Sequence, residues 1–131
     1  MKITKQALDV IKHFEGCSLT AYKCSAGVWT IGWGHTGKAA YKGAKITQVT
    51  ADSLLLSELA DYEVTVSQLL GNALTQRRLD ASVLFAYNVG LGALKSSTYL
   101  KYIKAGLIDK AAQELLKWDK ANGANNGKDD D

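Results

Sequence analysis

Apolar residues recur at helical spacing along most of the chain and give way to short β-prone pieces in one region only, between Ser18 and Gly37. Ile3, Ala7, Val10, Ile11 and Phe14 follow the helical period behind Thr4, a suitable N-cap, and predict an amphipathic helix over residues 4–14 that ends near Glu15 and Gly16. The pieces LTAYKC and VWTIGWG, divided by Ser25, Ala26 and Gly27, predict a small antiparallel hairpin. Thr47 and Thr50 are candidate caps for a long helix over about 51–70, marked by Ala51, Leu55, Leu59, Tyr62, Val66 and Leu69. Leu79, Val83, Phe85 and Ala86 predict a buried helix over 75–90 that stops at Asn88, Val89 and Gly90, with Gly92 beyond. Ser96 or Ser97 is expected to cap TYLKYIKAG, and Asp109 to cap KAAQELLKW. The picture is α+β and mostly helical, with a small sheet lobe and a helical lobe joined by the long helix and a cleft between them. The tail from Asn122 has no apolar side chain large enough to pack and is expected to be flexible.

Composition changes this picture little. The 131 residues suit one domain of two small lobes, and the 47% hydrophobic content is enough for a core. Because the chain has no Pro and twelve Gly, its turns depend on glycine and its helices carry no proline breaks. The net charge of +3 favours anionic polymers mildly, but the basic residues are scattered, so nucleic acid is not indicated. No apolar run reaches the length of a membrane span, and MKITKQALDVIKHFEG is amphipathic, unlike a signal peptide. A monomer made in the cytoplasm, without stable membrane association, is expected.

Candidate chemistry concentrates in FEGCSLTAYKCSAGVWTIGWGHTG, residues 14–37. Glu15 closes a helix, where the negative end of the dipole raises a carboxyl pKa and favours the protonated form that a general acid needs. Gly32 and Gly34 alternate with Ile31, Trp33 and His35, which on a strand leaves one face bare for a ligand or another backbone. Trp29 and Trp33 can stack on sugar rings or fill the core. Cys24 with His35 invites a Cys-His hydrolase reading, and His13, Cys17, Cys24 and His35 match no standard zinc spacing. Neither metal nor cofactor is expected. Cys17 and Cys24 are close enough in sequence to suggest a redox pair that would remove the active thiol in an oxidising compartment.

The spacing Glu15, eight residues, Cys24, five residues, Thr30, followed by IGWGHTG, resembles the phage lysozymes or endolysins, whose triad is Glu, Asp or Cys, then Thr. FAYNVGLGALKSSTYLKYIKAG resembles the family's second signature segment, and KAAQELLKWDKANG the segment after it, so the likeness covers most of residues 3–123. It implies a lysozyme-like catalytic domain over 1–121, with a sheet lobe at about 16–48, a helical lobe at about 70–121 and a tail at 122–131. It also implies cleavage of the peptidoglycan glycan strand between N-acetylmuramic acid and N-acetylglucosamine during host cell lysis.

By that resemblance Glu15 is the general acid, Thr30 holds a water on the opposite ring face, and Cys24 stands where a second carboxylate is common. A thiol is mostly neutral at pH 7, which leaves Cys24 either orienting or deprotonating water beside Thr30, the preferred role, or acting as a thiolate nucleophile. Trp33, Gly34 and His35 border the substrate, and His35 pairs with an acidic residue on the long helix, for which Glu58 is the candidate. The family usually continues with a Gly-Leu and Arg-rich helical segment, whereas this chain stops at DKANGANNGKDDD. The alternative is therefore a weak or inactive lysozyme-like protein that binds peptidoglycan. Reaching the wall from the host cytoplasm implies a holin to permeabilise the membrane.

Overall fold

The computed structural model describes residues 1–114; the end of the KAAQELLKW segment and the 122–131 tail lie outside the described residues. The chain divides into two compact units, Met1–Val64 and the part from Thr65 onward.

The first unit opens with helix α1, Lys5–Glu15, capped by Thr4, whose hydroxyl accepts the Ala7 N–H at 3.2 Å. Ala7 and Ile11, one turn apart, are its buried positions. Phe14 was counted with that apolar face, yet it is 80% exposed and stacks edge-on against His13, so the stripe outruns the core beneath it. Gly16 ends the helix at φ 68°, in the left-handed region that glycine enters at no steric cost.

Strands β1, Ser18–Lys23, and β2, Trp29–Gly32, pair antiparallel with Tyr22 opposite Thr30 and Lys23 opposite Trp29. The turn at 25–27 is closed by Cys24 N–H to Val28 O at 3.0 Å and Gly27 N–H to Cys24 O at 2.8 Å. The other edge of β1 is covered by residues 44–46, through Ala21 N–H to Ala44 O and Ile46 N–H to Leu19 O, both 2.9 Å.

One expectation fails here. β2 stops at Gly32, and residues 32–34 form a turn, closed by reciprocal backbone bonds between Ile31 and His35 at 2.9 and 2.8 Å. Gly32 and Gly34 have φ of 65° and 87°, which ends the strand, so no bare strand face exists there. What Gly32 admits is a helix: a Cβ on it would lie 3.4 Å from the Ala51 Cβ and the Ile46 Cδ1.

Helix α2, Gln48–Leu70, begins three residues earlier than the apolar pattern indicated. Thr47 is its cap, accepting the Thr50 N–H at 3.1 Å, and Thr50 lies inside the first turn. The first-unit portion buries Ala51, Leu55 and Leu59 at i, i+4 and i+8. Glu63 on α2 also holds the chain entering α1, accepting the Ile3 N–H at 2.7 Å. No helix of the described residues is long and apolar enough to cross a membrane.

In the second unit, a 3-10 turn at Gly71–Ala73 leads into α3, Gln76–Val89, capped by Thr75. Gly90 ends α3 and at once starts α4, Leu91–Lys95, a short helix that contains Gly92 and begins where the sequence reads as a stop. Ser97 caps α5, Thr98–Lys104, by accepting the Leu100 N–H at 3.0 Å. Residues 108–114 are helical. Asp109 is thus not the cap but a first-turn residue, where its charge still favours the helix dipole.

The core of this unit gathers Leu79, Val83, Phe85 and Ala86 from α3 with Leu94, Tyr99, Leu100 and Ile103. Tyr99 is 2% exposed, packs edge-to-face on Phe85 at 5.4 Å and shares a 2.7 Å hydrogen bond with fully buried Ser82. Ser82→Ala should therefore cost about 1–3 kcal/mol by orphaning the Tyr99 hydroxyl. Adding Tyr99→Phe should cost less in that background than in the wild type, as urea unfolding of the double-mutant cycle will show.

Candidate active site

Glu15 is the last residue of α1, and the Gly32–Gly34 turn comes up against it. A Cβ on Gly34 would collide with Glu15 Oε1 and lie 3.3 Å from its carboxyl carbon. Much of the Glu15 side chain still meets solvent, but the carboxyl end is turned against this backbone, and burial pushes its pKa above the usual carboxylate range. The neighbouring charge of Glu58 adds to the rise. The direction is the one expected from the helix end, but the leading cause is lost water.

His35 follows in the same turn, with Nδ1 3.2 Å from Glu58 Oε2 on α2. Gly37 leaves room for this ring, since a Cβ there would come within 2.7 Å of His35 Cε1 and Nε2. Glu58 thus contacts the imidazole and also acts on Glu15 through its charge. Tyr62, one turn further along α2, has its hydroxyl pKa raised by burial and then by the charges of Glu58 and Glu15.

Cys24 and Thr30 form a second cluster at the mouth of the hairpin. The Cys24 sulfur accepts from the backbone N–H of Val28, most strongly, and of Ala26, and these bonds hold the thiol pKa below its ordinary value despite an opposing effect of burial. The Thr30 hydroxyl, on a residue only 4% exposed, lies 3.0 Å from Val28 O and also reaches the Cys24 sulfur, so its one proton serves either acceptor. Thr30 adjoins Ile31, whose backbone pairs with His35, so one step along β2 joins the two clusters.

Cys17 is exposed, with Gln48 Nε2 3.7 Å from its sulfur, and both cysteines are free thiols. The extended strand β1 occupies the residues between them. At about 3.3 Å per residue it holds them roughly 20 Å apart, whereas a disulfide needs Cα atoms within about 7 Å. The suggested Cys17–Cys24 bridge is therefore incompatible with this fold. Among the described residues no group of three or more His, Cys, Asp or Glu is placed to hold a metal.

Sequence reasoning missed Lys12, Gln48 and Asp52. Trp33 donates its indole N–H to Asp52 Oδ1 at 2.8 Å, Gln48 Nε2 donates to the same oxygen at 3.0 Å, and the Lys12 ammonium lies 5.2 Å from the Trp33 ring centre. The helical offsets of Lys12 from Glu15 and of Asp52 from Glu58 were available, but their common target on the turn was not.

The phage lysozyme family model matches residues 12–128 of this chain. The endolysin of Bacillus phage B103 is 44% identical over 125 residues, which cover 94% of this chain and 48% of that protein. Among solved structures, the endolysin of Escherichia coli O157:H7 phage FAHEc1 superposes with a TM-score of 0.82 at 36% identity, covering 90% of this chain and 77% of that one. The muramidase domain of SpmX from Asticaccaulis excentricus gives 0.81 at 37% identity, covering 89% and 79%. The chain spans about half the length of the Bacillus phage relatives it matches. A mostly helical chain with one small hairpin, an acid closing its first helix and this extent of likeness in sequence and fold belongs to the phage lysozyme family.

Proposed function

We propose that the chain is a muramidase, a glycoside hydrolase that cuts the bond between N-acetylmuramic acid and N-acetylglucosamine in bacterial peptidoglycan during host cell lysis. The observation that carries this reading is the Glu15 carboxyl group, packed against the Gly34 backbone, with its pKa raised by burial and then by the charge of Glu58. A glycosidic oxygen leaves as an alcohol only if it receives a proton, and a carboxyl of raised pKa is the donor that this requires near neutral pH.

Cys24 and Thr30 act on water. As Glu15 protonates the leaving oxygen, the sugar C1–O bond breaks and C1 gains oxocarbenium character. Water, held by the Thr30 hydroxyl, attacks C1 and gives a proton to the Cys24 thiolate. Solvent then returns a proton to Glu15 and takes one from Cys24. The N–H bonds to the sulfur favour this role over covalent attack, because they stabilise the anion and lower its nucleophilicity. They also make a thiolate more available than an isolated thiol would, which offsets the missing second carboxylate.

The turn bearing Trp33, Gly34 and His35 borders the acid and is assigned to the glycan's path. Trp33 has its indole N–H engaged by Asp52, and His35 its Nδ1 by Glu58, so both side chains are set in place before any ligand arrives. Synthesis in the host cytoplasm, followed by access to the wall through a membrane opened by a holin, completes the proposal.

Three outcomes test it. Glu15→Gln should reduce the release of reducing ends from purified peptidoglycan by about a hundredfold or more; turnover that survives the change would rule out the acid role. The same variant tests the burial of the carboxyl group. A raised native pKa means that the folded state holds the proton more tightly than the unfolded one, so this contribution is present at low pH and lost as pH rises through the native pKa. The melting temperature of Glu15→Gln should accordingly gain on the wild type between pH 4 and pH 8. Gly34→Ala should lose at least about 1 kcal/mol, because φ there is 87° and the new methyl meets the carboxyl group, and should lose activity beyond what the stability change explains.

A further inference from the structure

The turn at Gly32–Gly34 decides how closely backbone approaches Glu15, and the side chain next to that contact is Trp33. The indole is held from two directions. Its N–H points at Asp52 Oδ1 on α2, 2.8 Å away, and its face lies under the ammonium of Lys12, which stands one turn before Glu15 on α1. Asp52 is prepared for this contact. Its carboxylate is held below the usual range first by the Trp33 N–H, then by Gln48, with the field of Lys12 assisting, so it remains a charged acceptor.

We propose that Asp52 is a positioning residue, which accepts the Trp33 indole N–H and so holds the Gly34 backbone against the Glu15 carboxyl group. Its place in catalysis rests on the muramidase reading above, but the positioning itself is measurable without substrate. Trp33 and Gly34 are adjacent, and Gly34 sits at a φ of 87° in a short turn closed by one bridge, so displacement of the indole is transmitted to the atoms packed on the carboxyl group. With the acceptor lost, the turn loosens and water returns to Glu15. The acid then titrates closer to an ordinary glutamate.

Other charges act on the same carboxyl group and must be separated from this effect. Glu58 and Tyr62 face it from α2, Lys12 shares its helix, and His35 stands beside Glu58. Asp52→Ala leaves all four in place. It removes a negative charge along with the acceptor, whereas Asp52→Asn removes the charge and keeps an oxygen acceptor for the indole.

The test follows the Glu15 carboxyl group by carbon NMR through a pH titration of the whole protein, with the Trp33 indole N–H as a second signal. Asp52→Ala is expected to move the Glu15 midpoint downward and shift the indole signal, while Asp52→Asn stays close to the wild type in both. Trp33→Phe should act as Asp52→Ala does, and combining the two should add nothing further. On peptidoglycan, Asp52→Ala should shift the alkaline limb of kcat/KM to lower pH and lose about tenfold to a hundredfold at neutral pH, with Asp52→Asn restoring most of it. An unmoved Glu15 midpoint in Asp52→Ala, or an equal shift in Asp52→Asn, overturns the proposal. If the midpoint moves as expected while the wild type itself releases no reducing ends, the positioning holds and the muramidase reading falls.

Discussion

A carboxyl group pressed against a peptide backbone with no Cβ in between is the constraint on which the site turns. Gly34 displaces water from one side of the Glu15 carboxyl group, and that loss of water disfavours the charged form and raises the pKa. The arrangement needs a helix that ends at residue 15, a left-handed Gly16 that redirects the chain into β1, and a turn that brings residue 34 back to the helix end. Each of these is a glycine at a positive φ or a direct consequence of one. The chain has no proline, so this geometry is built by freedom at chosen points and then restricted by contacts.

The restriction comes from α2. Asp52 takes the indole of Trp33, and Glu58 takes the imidazole of His35, on either side of the Gly34 contact and nearly two turns apart on one helix. Ala51 meets the backbone of Gly32 from the same helix. A long helix is a stiff support for such a turn, because its own positions are fixed by Leu55 and Leu59 in the core. Glu58 also raises the pKa of Glu15, so one side chain both orients the imidazole and tunes the acid.

Local rules made much of this legible. Thr4, Thr47 and Ser97 are caps that a side-chain oxygen before an apolar stripe announces, and Gly16 and Gly90 end helices for a reason visible in their chemistry. The hairpin around Gly27 followed from β-prone pieces parted by small residues. Glu15, Cys24 and Thr30 stand out by spacing and by family likeness, and the helix end announces the direction of the Glu15 shift, but its leading cause, burial, and the lowering at Cys24 are not accessible that way. The low thiol pKa depends on two N–H groups that the 25–27 turn aims at the sulfur, which no pattern of residue types encodes. Alternating glycines at 32 and 34 look the same on paper in a strand and in a turn, and only φ distinguishes them. α4 is not legible because its five residues are too few to show a period and include Gly92, which reads as part of a stop. Asp52 and Trp33 are nineteen positions apart, and a contact of that kind is written in the tertiary fold alone.

Strand β1 has one more effect, on the fate of the protein outside the reducing cell. It stands as a spacer between the exposed Cys17 thiol and the Cys24 thiol, and keeps the two sulfurs from sealing together where the surroundings are oxidising. Oxidation of Cys24 then has to come from a foreign thiol or a peroxide, and its rate is set by what the surroundings contain.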